Sequence, residues 1–202
     1  MTVIKIKNLN FSYSDKVIFK DANFEFTEGS INRIEGSNGV GKTTLFHILS
    51  GCLKGDVEIS PRVNFEFITT EFLPFDELTG KEITLLFFAL NNRPKNTVNS
   101  YIAYFKNLNL EYVLKNRYKN MSLGEKQKLN ILISFVNNSK IILLDEPFNA
   151  LDRNSKRALS ELLVALSVEY QRTIIYISHN DIEQSVDKKF LIHGEKIIAL
   201  DR

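Results

Sequence analysis

Residues Gly36-Ser37-Asn38-Gly39-Val40-Gly41-Lys42-Thr43-Thr44 spell G-x-x-x-x-G-K-[ST], a spacing suited to holding a chain of phosphates. Glycines at 36, 39 and 41 let the backbone turn tightly and aim its N–H groups inward, and a helix beginning there adds the positive end of its dipole. On this reading Ser37, Asn38, Gly39, Val40, Gly41 and Thr44 line the cradle, Lys42 reaches the β- and γ-phosphates, and Thr43 offers its hydroxyl to Mg2+. Further along, Ile141-Ile142-Leu143-Leu144-Asp145-Glu146 is an apolar run ending in two acids, the pattern of a buried parallel strand with a site at its carboxyl end. Asp145 is placed to hold Mg2+, directly or through water, and Glu146 to polarise a water for attack on the γ-phosphate.

Chemistry at such distant positions needs a scaffold. Ser30 to Ile34 reads as a short strand before the glycine-rich loop, and Leu45, Ile48 and Leu49 recur at helical spacing after it until Gly51 offers a C-cap. Val3, Lys5 and Lys7 alternate with Ile4 and Ile6, and residues 17–19 and 23–26 continue the pattern, which predicts an antiparallel β layer ahead of the loop. Tyr13, just past the first strand, could stack on a base or be an ordinary turn tyrosine. Strand signals resume at 56–59 and 63–68. From Leu78 to Tyr118 the character changes: Ile83, Leu86, Phe87 and Leu90, then Tyr101, Ile102, Phe105 and Leu108 past Pro94, predict a helical insert.

Ser122-Leu123-Gly124-Glu125 opens another helix, with Leu129, Leu132, Ile133 and Val136 as its buried stripe. Ser122 and Glu125 have the spacing of a capping box, which by itself explains both. A second apolar strand, Thr173 to Ile177, ends at Ser178-His179; a histidine there is usually structural, yet it closes a strand of the same type as the one carrying Asp145.

At 202 residues, with 44% hydrophobic and 25% charged residues, the chain is a globular α/β protein of one domain. Its net charge of +2 is too small to argue for a nucleic-acid partner. One cysteine, Cys52, forms no internal disulfide and fits a reducing compartment, or is a small apolar group at a helix end. The longest apolar run, Ile83 to Leu90, falls far short of the roughly 20 residues that cross a bilayer, so any membrane span is expected to belong to another chain.

The order of these motifs resembles the nucleotide-binding subunit of ABC transporters along essentially the full length. Gly36 to Thr43 is similar to the family's Walker A, Ile141 to Glu146 to its Walker B with the catalytic glutamate, and Met121 to Gln127 to its signature motif. Tyr13 falls where the family stacks adenine, Asn149-Ala150-Leu151-Asp152 where it has the D-loop, and His179 where it has the switch histidine. The resemblance implies a P-loop NTPase core with a parallel central sheet, an N-terminal antiparallel β layer and an inserted α-helical subdomain, the core spanning about 1–74 and 125–202 and the subdomain about 75–124. It also implies a head-to-tail dimer with a second nucleotide-binding subunit, each ATP held by Lys42 of one copy and by Ser122 and Gly124 of the other, with Asp152 contributing. Lys42, Glu146 and His179 would be catalytic, and Thr43, Asp145 and Thr70 would bind Mg2+.

Two departures stand out. Thr70, or Glu71 with a small shift, occupies the place of the family's usual glutamine, and Leu123 and Glu125 replace the signature's usual first glycine and glutamine. The expected function is ATP hydrolysis that drives transport through a separate transmembrane subunit, with the protein peripheral on the cytoplasmic face of the cell membrane. The short chain leans this expectation toward export. A soluble, non-transport ABC ATPase and a catalytically weakened half of a heterodimer are the alternatives.

Overall fold

A computed structural model describes residues 2–68, 75–92, 94, 103, 110–137, 139–149, 151–178 and 186–200. The chain divides into two compact units, one made of Met1–Phe67, Lys140–Pro147 and Leu163–Arg202, the other of Ile68–Ser139 and Phe148–Leu162.

The first unit begins with a long hairpin, β1 (Val3–Tyr13) and β2 (Lys16–Thr27), joined by β4 (Asp56–Ser60) in a three-stranded sheet of order β2-β1-β4. Strict alternation fails in both long strands, because Leu9 lies three residues after Ile6 and Ala22 three after Phe19, yet all four are buried. An extra residue with left-handed backbone restores each to the inner face: Asn8 at φ 53° and Asp21 at φ 44°. Their bulges are secured by Asn8 N–H donating to Asn23 Oδ1 at 3.1 Å and Asp21 N–H to Asn10 Oδ1 at 2.9 Å. Thus the segments expected at 17–19 and 23–26 are one strand. Tyr13 is likewise the last residue of β1 rather than a residue beyond it, since its pairing with Lys16 continues the ladder up to the turn.

The second sheet has six strands in the order β5-β6-β7-β3-β8-β9. Strand β3 (Ile31–Glu35) runs parallel to β7 (Thr173–Ile177) and to β8 (Lys188–His193), and β6 (Ile141–Asp145) runs parallel to β7. β9 (Lys196–Leu200) closes one edge antiparallel to β8, and β5 (Phe65–Ile68) stands at the other. All five residues of β7 and the first four of β6 are buried, as central parallel strands covered on both faces should be. Ile177 is the register partner of both Ile34 and Asp145. Helix α1 (Lys42–Leu49) follows β3 and buries Leu45, Phe46, Ile48 and Leu49 in one core with Ile18, Phe19, Leu143, Ile175 and Phe190. Each such side chain contributes about 1.5–3 kcal/mol on burial.

In the second unit, α2 (Gly80–Leu90) starts at a reciprocal capping box, Thr79 with Glu82. Helices α3 (Leu110–Lys115) and α4 (Leu123–Asn137) follow, and Phe88 of α2 packs on Val136 of α4. Glu77 forms ion pairs with Arg117 at 3.2 Å and Lys119 at 2.7 Å. Residues of α5 (Arg153–Val168) fall in both units.

Candidate active site

The loop between β3 and α1 has backbone that side chains resist. Gly36 has φ 150° and Gly41 φ 113°, and a Cβ on Gly41 would lie 2.4 Å from Ile18 Cγ2. Glycine at 41 therefore lets the phosphate loop lie directly on β2. Lys42, nearly buried, donates from Nζ to the carbonyls of Gly36 at 2.9 Å and Ser37 at 3.0 Å, closing the loop into a ring. An ammonium has three N–H donors, so one remains for a phosphate oxygen. Ser37, Asn38 and Gly39 are exposed and Val40, Gly41 and Thr44 half-buried around that ring.

Thr43 Oγ1 donates to Asp145 Oδ2 at 2.8 Å. This bond brings the first residues of α1 to the end of β6, and two hard oxygens meet where the phosphate loop opens, which fits a hard cation such as Mg2+. Glu146 follows with φ 47°, a backbone conformation that costs a non-glycine residue of order 1–3 kcal/mol and tends to mark functional sites. Its N–H donates to Ile177 O at 3.2 Å, which fixes the turn. Burial pushes the Lys42 ammonium below its ordinary range, and the negative charges of Glu146 and Asp145 oppose that push. Lys42, Thr43, Asp145 and Glu146 thus form one assembled group.

Tyr13 lies at the tip of the hairpin whose β2 touches Gly41; the residue is 49% exposed, with its ring edge-on to Phe11 at 4.8 Å. The exposed face is free to stack on a base. Glu35, the residue before Gly36, is in an ion pair with Arg33 at 3.1 Å; neither was singled out in the sequence, although Arg-x-Glu in a strand places both on one face.

In the second unit, Ser122 and Glu125 form the reciprocal capping box of α4: Ser122 N–H donates to Glu125 Oε2 at 2.7 Å and Glu125 N–H to Ser122 Oγ at 3.3 Å. Gly124 is half-buried in the first turn. Asp152 caps α5, its carboxylate accepting from Ser155 N–H at 2.8 Å and Ser155 Oγ at 3.1 Å. Those bonds, the backbone one foremost, hold its carboxyl below the usual range. Thr70 and His179 lie outside the described residues.

A family model described as ABC transporter matches residues 19–149. The chain belongs to the ABC transporter family. It is an ABC-type ATPase that binds and hydrolyses ATP, on the α/β fold of ATP-binding cassettes. A ribosome protection protein of Bacillus subtilis is 28% identical over 96% of this chain and 35% of its own length. A zinc import ATP-binding protein of Buchnera aphidicola is 27% identical over 89% of this chain and 75% of its own. Among solved structures, a dimeric post-hydrolysis ATP-binding cassette bound to ADP and phosphate superposes on this ABC ATPase with a TM-score of 0.80, at 20% identity over 96% of each chain.

Proposed function

We propose that this ABC ATPase powers transport of a solute across a membrane through a separate transmembrane subunit, working as a head-to-tail dimer. The single observation that carries the ATPase half is the Thr43–Asp145 bond of 2.8 Å, which joins the phosphate loop to the acids at the end of β6. In this reading Lys42 would bind the β- and γ-phosphates, Tyr13 would stack on adenine, Thr43, Asp145 and Thr70 would hold Mg2+, Glu146 would accept a proton from the attacking water, and His179 would serve as the switch histidine. Bound Mg2+ supplies charge neutralisation for the phosphates. Ser122, Gly124 and Asp152 act on the nucleotide of the second copy. A core of about 1–74 and 125–202 with a helical subdomain of about 75–124 is the domain division this function uses.

Among the described residues no helix is long and apolar enough to cross a membrane. In this reading a separate transmembrane subunit spans the membrane and this chain is peripheral on its cytoplasmic face. The relative named for zinc import argues against the lean toward export, and the direction we infer is import. One second reading has an observation in its favour: the ribosome protection protein points to a non-transport ABC ATPase. Purification of the tagged chain from detergent-solubilised membranes decides between them. Recovery with a polytopic membrane protein supports transport; recovery with ribosomes and no membrane protein overturns it.

A further inference from the structure

A carboxylate directly before an anion-binding loop is an electrostatic liability. Glu35 is joined by one peptide bond to Gly36, whose carbonyl accepts from Lys42 Nζ at 2.9 Å, so its charge enters the chain directly beside the phosphate loop. Two features of β3 decide where that charge goes. Residues two apart in a strand share a face, and Arg33 and Glu35 meet there with Nε to Oε1 at 3.1 Å. The Arg33 side chain is 6% exposed and that of Glu35 28%, so the pair is partly shielded from water and its charges are weakly screened.

We propose that Arg33 is a positioning residue for the phosphate loop: it holds the Glu35 carboxylate onto the face of β3 and neutralises it, so that the loop presents net positive potential to ATP. This rests on nucleotide occupying the Lys42 loop. Neither side chain touches the reacting atoms.

The test is calorimetric titration of the full-length chain with ATP in the absence of Mg2+, which prevents turnover and leaves the phosphate charge unscreened by metal. Arg33→Met frees the Glu35 charge and is expected to weaken ATP binding about threefold to tenfold at low salt. The defect should shrink as NaCl rises from about 0.05 M to about 0.5 M, because a misplaced charge is screened and a packing fault is not. Arg33→Met/Glu35→Gln is expected to bind within about twofold of Glu35→Gln alone, since the charge that needed holding is gone. A salt-independent defect, wild-type affinity in Arg33→Met, or a double variant as weak as Arg33→Met would overturn the role. Should Arg33→Met fail to fold, Glu35→Gln alone decides: affinity equal to or up to about threefold above wild type supports the proposal, and weaker binding overturns it. Wild-type chain that binds no ATP would overturn the nucleotide reading itself, and this role with it.

Discussion

Thr43 Oγ1 and Asp145 Oδ2 stand 2.8 Å apart although 102 positions separate them in the chain. The bond makes Asp145 a partner of the phosphate loop itself, so its charge and not merely its shape should matter. Asp145→Asn retains an oxygen that accepts from Thr43 but loses the charge a cation needs. Its Mg2+-dependent phosphate release is expected to fall about 100-fold or more, while ATP binding without metal stays near wild type. Unchanged hydrolysis across a Mg2+ titration would remove Asp145 from the metal site.

Glu146→Gln keeps the shape of the strained turn and cannot accept a proton. Hydrolysis is expected to drop by roughly 100-fold to 10,000-fold with ATP binding retained, as read by single-turnover phosphate release beside calorimetry. Near wild-type turnover would exclude Glu146 as the base.

The same variant should reveal the assembly. With ATP trapped unhydrolysed, Glu146→Gln is expected to double its mass by light scattering, and further substitution of Ser122 by a bulky residue should return it to monomer. A monomer at saturating Mg-ATP would count against the sandwich in the isolated chain.

Gly41→Ala combines a backbone at φ 113° with a Cβ 2.4 Å from Ile18 Cγ2. Thermal midpoint is expected to fall by about 4–10 °C, with loss of ATP binding as the loop lifts from β2. A variant that melts and binds like wild type would show that the contact is dispensable.

Asp152 gives a pH prediction. Its folded carboxyl titrates below the ordinary 3.8, chiefly through the Ser155 backbone bond, so the stability it contributes is complete above that value and is lost as pH falls through the lower folded one. Asparagine also caps a helix but does not titrate, so Asp152→Asn should show a shallower loss of thermal midpoint as pH falls below about 4. Parallel acid limbs for the two proteins would contradict it.

The phosphate loop and the two acids were legible because each is a local run whose function depends on adjacent residues, and the capping box of Ser122 and Glu125 was legible for the same reason. Their convergence was not, since only the parallel pairing of β3, β7 and β6 brings Thr43 to Asp145. Two strands were read where β2 runs unbroken, because a single αL residue at Asp21 shifts the alternation without any glycine or proline to announce it. The three-residue step from Phe19 to Ala22 was the available signal. Asp152 and Ser155 carry the spacing of a helix N-cap, and Leu159, Leu162, Leu163 and Leu166 a helical stripe, so α5 was also within reach. Arg33 and Glu35 were not read from the sequence, for their pairing depends on a shared face rather than on a motif.

Ile177 serves as a common datum for the chemistry on either side of it, because Ile34 and Asp145 are both levelled against it and Glu146 is tied to its carbonyl. One residue gained or lost inside β3, β6 or β7 would slide loop against acid by about 3.3 Å, more than the whole length of the Thr43–Asp145 bond. A change in chain length is therefore compatible with the ATP site only in the connections between these strands, and the three strands behave as a fixed ruler whose graduations that site cannot do without.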